Sequence, residues 1–476
     1  MKASIFILIS LLALGFKANE TPPTKPNILM ISIDDLNDWV GTMGGNPSAI
    51  TPNIDKLASE GVLFMNAHCQ TALCGPSRAS IMSGLRPSTS GIYGQLKDEE
   101  IREASSAMQG IKFLQEYFGE NGYKTMGVGK IFHEHAPEGV LQISGGRIKG
   151  FGPKPEKSFH WDKKGTSTDW GAFPETDSKM PDYKSAQWAI ERLSENHDKP
   201  FFLSVGFVRP HVPWYVPQKW FDMHPLESVT TPPYLKNDKD DLPEIAIQID
   251  DMPMMPSTDW AIETNQWKNI VQGYLASTTF VDHYVGQVLD ALAKSPYKDN
   301  TIVVLYSDHG YRLGEKGTFA KHCLWQTGTH VPLIIKTLSP QKGSRTNQPV
   351  ELLDIYPTLV ELCGLDKNMR NEGMSLKPLL ENSKSKLKEV AISTYGRYNH
   401  ALVSERYRYI KYENGAEELY DHSQDPNEWV NLASKSEMQK VKKEMQKYLP
   451  TNNAPWSPKV DMDHNAYFAK ATKAEK

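Results

Sequence analysis

The sequence predicts a mostly parallel α/β layer fold followed by a smaller α+β lobe. Three observations carry this reading. Apolar runs of strand length recur at 27–33, 124–128, 200–208, 301–306 and 330–335, and their near-continuous hydrophobicity fits strands covered on both faces. Helical stretches alternate with them, as parallel pairing requires. After about residue 388 the texture changes to short alternating pieces separated by turn residues such as Asn414-Gly415.

Each element has a local reason. The run 27–33, NILMISI, is the first strand and ends directly in Asp34-Asp35. The stretch 51–61, TPNIDKLASEG, has a helix start and a Gly stop. In 71–84, TALCGPSRASIMSG, Pro76 suits a first helical turn, because its missing N–H would be unpaired there. Ala79, Ile81 and Met82 form the buried side and Gly84 the stop. A helix at 113–122 leads into the strand 124–128, then Lys130 and His133. The helix at 186–193 precedes the strand 200–208, which runs into Arg209-Pro210-His211. The longest amphipathic helix is 267–293, and the strand 301–306 ends in Ser307-Asp308-His309. A helix at 357–363 closes on Gly364. Two stretches, 136–180 and 222–258, have no clear period and read as long decorated loops. In the second lobe, strand-like pieces at 390–394, 400–404, 407–412 and 418–420 precede a charged helix at 435–448.

Composition narrows the function. Hydrophobic residues are 39% and charged residues 23%, an ordinary globular balance. The net charge of −4 offers nothing to nucleic acid or a membrane surface, so an anionic substrate needs a local basic pocket. Residues 1–18 read as a secretory signal peptide: Lys2, an apolar run at 5–16 too short to span a bilayer, and Ala18 after small residues. No Cys follows to carry a lipid, so no stable membrane anchor is expected, and the protein is expected to be periplasmic or secreted. The expected division is 1–18 signal, 19–387 catalytic α/β domain and 388–476 C-terminal α+β subdomain. Cys69, Cys74, Cys323 and Cys363 are few for an exported protein.

Ligands in α/β layer folds sit beyond the carboxyl ends of the strands. Four apolar runs deliver polar residues just there: Asp34 and Asp35, Lys130 and His133, His211, and Asp308 and His309. Adjacent carboxylates at a strand end repel one another, and a divalent cation resolves that repulsion; calcium or magnesium fits the oxygen-rich set. Lys130 and Lys321 are candidates to grip a tetrahedral oxyanion, and His133 and His211 to carry protons. Cys74 at a helix mouth is expected to have a lowered thiol pKa and an anion-welcoming setting, with the Arg78 fork one turn on.

The string Cys74-Gly75-Pro76-Ser77-Arg78, followed by an apolar turn and Ser83-Gly84, resembles the signature of the formylglycine-dependent sulfatases. LCGPSR, ENGYKTMGVGKIFH, GFVRPHVPW and SDHGYRLGEKGTFAKH are similar to the iduronate-2-sulfatase branch, and the likeness runs from about 27 to 432. It implies an alkaline-phosphatase-like sheet sandwiched by helices. It implies oxidation of Cys74 to formylglycine by a formylglycine-generating or anaerobic sulfatase-maturing enzyme. One Ca2+ would then be held by Asp34, Asp35, Asp308 and His309 and completed by residue 74. Lys130, Lys321 and Arg78 would hold the sulfate ester, His211 would act as general acid and His133 as base. With Cys74 modified, at most one disulfide can form among Cys69, Cys323 and Cys363. The implied substrate is a sulfated uronic-acid-containing polysaccharide or oligosaccharide, attacked from its end; algal glycans such as ulvan and host glycosaminoglycans both qualify. Arg397 and His400, in GRYNH, are placed to reach a sugar carboxylate or hydroxyl. The segment His322-Cys323-Leu324-Trp325 departs from the branch, and 136–180 and 222–258 do not match it. Two other readings stay open: a phosphoesterase or phosphonate hydrolase, and a glycan-binding protein if Cys74 is never oxidised.

Overall fold

A computed structural model describes residues 25–475 apart from 149, 463 and 464. The expected signal peptide at 1–18 lies outside the described residues. The main sheet has eight strands: β1 Asn27–Ile33, β2 Val62–Phe64, β3 Lys124–Gly129, β4 Ile143–Ser144, β5 Phe201–Gly206, β6 Thr301–Ser307, β7 Leu333–Lys336 and β8 Ser344–Thr346. Their spatial order is β8-β2-β7-β6-β1-β5-β3-β4. Only β7 runs antiparallel to its neighbours, so the sheet is mostly parallel, as the apolar runs predict.

Side-chain alternation shows why those runs are unbroken. Ile28 and Met30 of β1 enter one core with Ile302, Val304 and Tyr306 of β6. Leu29, Ile31 and Ile33 enter another with Val303 and Leu305. The first face is covered by helices Cys74–Ser83, Leu114–Glu120 and Ile355–Leu362. The second is covered by Pro52–Glu60, Pro181–Ser194 and the 28-residue helix Trp267–Lys294. With both faces dry, polar alternation has no place along the strands.

Four antiparallel strands follow: β9 Ala391–Thr394, β10 His400–Val403, β11 Tyr407–Lys411 and β12 Glu417–Asp421, paired in that order. The helix expected at 435–448 is broken into the 3-10 turn Ser436–Met438, the α-helix Gln439–Met445 and the 3-10 turn Gln446–Tyr448. A terminal helix, Ala466–Glu475, was not foreseen. The stretch 222–258 contains the helix Glu244–Asp250, whose Ile245, Ala246 and Ile249 pack with Tyr395, Ile410 and Tyr412 of the second lobe. All four cysteines are buried and free. Among the described residues no helix is long and apolar enough to cross a membrane.

Candidate active site

The carboxyl ends of β6, β1, β5 and β3 are consecutive in the sheet, so the four strand tips meet. β1 delivers Asp34 and Asp35, both fully buried. Asp35 has φ +62, a left-handed conformation that is costly for a residue with a Cβ. Its carbonyl accepts from Tyr274 Oη at 2.8 Å and its N–H donates to Asp308 Oδ1 at 3.2 Å. This turn lets two neighbouring carboxylates face one site instead of opposite faces of an extended chain. β3 ends on Gly129, φ +79, where an added Cβ would stand 2.0 Å from the Gly206 carbonyl. Glycine there lets β3 and β5 close up and sends Lys130 inward.

Cys74 opens the helix Cys74–Ser83, and Gly84 ends it in the left-handed conformation, as expected. Cys74 Sγ is 3.0 Å from Lys321 Nζ and 3.2 Å from His309 Nε2. Lys321 Nζ also donates to Asp35 Oδ1 at 2.7 Å, and Lys130 Nζ donates to Asp34 Oδ2. Ligand atoms of Asp34, Asp35, Cys74 and His309 all lie within 4.8 Å of one another. Asp308 stands beside this set: its Oδ1 is 3.7 Å from His309 Nε2, and its Oδ2 accepts from Arg78 Nε at 2.7 Å. Asp34 Oδ1 and Asp35 Oδ2 are buried without a hydrogen-bond partner. Two orphaned carboxylate oxygens in a buried cluster are a fit for a hard divalent cation, which takes oxygen ligands and supplies the missing charge.

The thiol differs from expectation. Burial first, and Asp34 next, push the Cys74 pKa up, and Lys130 and Lys321 oppose this without reversing it. The helix mouth is not free to lower it either, because the Gly75 N–H donates to Gln95 Oε1 at 2.9 Å. Arg78 also has a different setting. It is fully buried, and besides Asp308 its guanidinium donates to the carbonyls of Lys130 and Ile131, the latter at 3.2 Å, and to Ser32 Oγ at 3.3 Å. Its fork orients the Asp308 carboxylate and the Lys130 backbone.

Electrostatics divides the carboxylates. Burial disfavours the charged form of Asp34, yet Lys130, His211, Arg78 and Lys321 together hold its pKa well below the ordinary value. Burial, with Asp34 adding to it against Lys321, raises Asp35 to about 7. His211 Nε2 lies 3.9 Å from Asp35 Oδ2. Burial and then Lys321 keep His211 well below the usual imidazole range. His133 is lowered to about 3 by burial and then by Lys130. Both rings are therefore neutral near pH 7 in the substrate-free site.

Arg397 and His400 lie in the second lobe. His400 uses both ring nitrogens internally, with Thr394 Oγ1 at 3.0 Å and Asn453 Oδ1 at 2.8 Å, and Arg397 Nε donates to the Asn453 carbonyl. Sequence reasoning missed Asp98, whose carboxylate accepts the N–H groups of His133, Glu134 and His135 at 2.8–3.1 Å and shapes that turn. It also missed Phe151, stacked on His211 with centroids 4.3 Å apart. Neither carries a periodic signal.

A profile of the sulfatase family matches residues 26–365. The chain belongs to the sulfatase family. A second profile, for the C-terminal region of N-sulphoglucosamine sulphohydrolase, matches residues 314–454 of this sulfatase. A sulfatase of Formosa agariphila is 49% identical over 487 positions, covering 99% of this chain and 96% of its own. Human iduronate 2-sulfatase is 32% identical over 409 positions, covering 74% and 72%. A solved structure in complex with its substrate D-glucosamine-2-N,6-O-disulfate has a TM-score of 0.71 at 23% identity, covers 89% of this sulfatase and 96% of itself, and confirms the fold. As a sulfatase the protein is a sulfuric ester hydrolase.

Proposed function

We propose that this sulfatase removes sulfate from the ends of a uronic-acid-containing glycan or its oligosaccharides, with Cys74 converted to formylglycine and one calcium ion bound. The observation that carries the reaction type is the seat of residue 74: Lys321 at 3.0 Å, His309 at 3.2 Å, and the carboxylates of Asp34 and Asp35 against it. The glycan class is supported by the 32% identity to human iduronate 2-sulfatase. Export to the periplasm or beyond is supported by the sequence of residues 1–18.

Asp34, Asp35, Asp308 and His309 would hold the cation, which supplies Lewis acidity that makes a hydroxyl at residue 74 nucleophilic at neutral pH. Lys130 and Lys321 bracket the site and stabilise charge on the sulfuryl oxygens in the transition state. Arg78 keeps Asp308 and Lys130 in register for both tasks. His133 is held neutral in the free site by burial and then Lys130, and a sulfate seated between the lysines raises its basicity so that it can accept a proton. His211 is neutral in the free site because burial and then Lys321 disfavour its charged form. The substrate's sulfate, seated between the lysines, offsets that positive field and lets His211 deliver a proton to the departing sugar oxygen.

The test is a panel of defined sulfated oligosaccharides, including 2-sulfated iduronate ends, with free sulfate measured. Preferential release from uronate ends supports the reading. Release only from internal residues or from neutral sugars contradicts it.

A further inference from the structure

Away from the cluster at residue 74, Arg147 has no hydrogen-bond acceptor for its two terminal nitrogens. Arg147 lies in 145–152, GGRIKGFG, within the stretch 136–180 that reads from sequence as a decorated loop. Its side chain is 13% exposed, and its Nε donates to Glu134 Oε2 at 3.2 Å. Nη1 and Nη2 are both buried and have no hydrogen-bond partner. Leaving a buried guanidinium half satisfied is unfavourable unless something else meets it.

The position of that guanidinium relates it to the chemistry. It lies 5.5 Å from the centroid of the Phe151 ring. The same ring is stacked on His211 at 4.3 Å and 19°, and Lys130 Nζ is 5.4 Å from it. Phe151 is fixed in turn by Arg209, which is fully buried and donates to the Phe151 carbonyl at 2.7 Å and to the His211 carbonyl at 2.9 Å. Thus a chain of contacts joins His211, the proposed general acid, to a guanidinium with two buried donors that have no hydrogen-bond partner. Its backbone is itself constrained: Ile148 has φ +50, an outlier for a β-branched residue. The planar fork of Arg matches an oxyanion through two parallel bonds.

We propose that Arg147 is a specificity-determining residue that binds an oxyanion substituent on the sugar being desulfated, a carboxylate or a second sulfate, next to the His211–Phe151 pair. This rests on the sulfatase reading of the site above. It adds a subsite for a second negative charge, separate from the lysines that hold the scissile sulfate. Asp182 is the internal rival. Its Oδ2 is also buried and unpartnered, and a water shared by Asp182 and Arg147 would satisfy both without substrate.

The experiment compares the mature wild type with Arg147→Ala and Arg147→Lys on three substrates. These are a sulfated uronate disaccharide, its carboxyl-reduced counterpart, and a disulfated neutral sugar; an aryl sulfate with no other anionic group serves as reference. The expected result is a fall of tenfold or more in the kcat/KM preference for an oxyanion-bearing sugar over the aryl sulfate in Arg147→Ala, mainly through KM. Arg147→Lys, which keeps the charge and covers the case of a poorly folded Ala variant, should recover part of that preference. Loss confined to the uronate identifies a carboxylate, and loss confined to the disulfated sugar identifies a second sulfate. An equal fall on every substrate overturns the subsite and assigns Arg147 to the Asp182 water; an unchanged preference also overturns it. A wild type that releases sulfate from the aryl ester shows that failure of the subsite is not failure of the sulfatase reading. A wild type inactive on all four overturns both.

Discussion

Lys321→Met is the most informative single change, because Lys321 Nζ touches both halves of the site. It donates to Asp35 Oδ1 at 2.7 Å and lies 3.0 Å from Cys74 Sγ. Two consequences follow. Loss of one preorganised cationic donor to the sulfuryl oxygens costs about 3–4 kcal/mol of transition-state stabilisation, or ~10²–10³ in kcat. Loss of one partner from a buried pair leaves Asp35 uncompensated and costs about 3–5 kcal/mol of stability. Asp35 is fully buried, so water does not rescue it. A cation seated between Asp34 and Asp35 does. The variant is therefore expected to melt well below wild type in EDTA and to recover most of that loss in saturating calcium, while turnover stays down. Sulfate release by initial rate and thermal unfolding with and without calcium make the assay. Turnover within threefold of wild type would refute the oxyanion role, and a stability loss that calcium does not relieve would refute the shared carboxylate.

Other outcomes follow from the same geometry. Asp34→Asn removes one of the two orphaned carboxylates, so it is expected to weaken calcium binding at least tenfold in a chelator titration and to abolish turnover. His133 has its pKa lowered from 6.5 to about 3, by burial and then Lys130. Because the folded value is depressed, the unfolded chain binds its proton first, and stability falls as pH drops from about 6.5 towards 3, by up to about 4 kcal/mol. His133→Gln should flatten that part of the stability curve in urea melts; an unchanged slope would count against a buried neutral ring. Glu418 is buried and accepts from Trp325 Nε1 at 2.8 Å, Tyr412 Oη at 2.6 Å and Tyr420 Oη at 2.5 Å. Glu418→Ala strands three donors and is expected to cost ~3 kcal/mol or more in chemical denaturation, with Glu418→Gln recovering part of it.

The legible parts of this protein are those where one physical rule acts alone. Strands buried on both faces must be apolar throughout, so β1, β5 and β6 stand out as runs, and their last residues point to the site. Gly84 ends its helix at φ +75, a position only glycine fills without strain. Elsewhere several effects compete. β2 and β8 have three residues each, too few for a period to show. The Cys74 thiol looks acidic if only the helix mouth is counted; burial and Asp34 reverse the sign, and both come from tertiary structure. Arg78 reads as a substrate ligand because its fork suits an oxyanion, yet its nearest anion is Asp308, 230 positions away in the chain. The described residues of 136–180 are held by contacts such as Phe151 on His211 and Trp170–Ala172 alongside Trp214–Val216, none of which leaves a local pattern.

The central claim is that residue 74, as an aldehyde derived from cysteine, is the reacting group in a cation-bound sulfatase site. Mass spectrometry of the tryptic peptide spanning Cys74, taken from enzyme purified out of its own host and shown to release sulfate, tests it most directly. The expected result is the formylglycine form of that peptide, with activity rising in proportion to its fraction. A fully active preparation in which position 74 is an unmodified thiol throughout would contradict it.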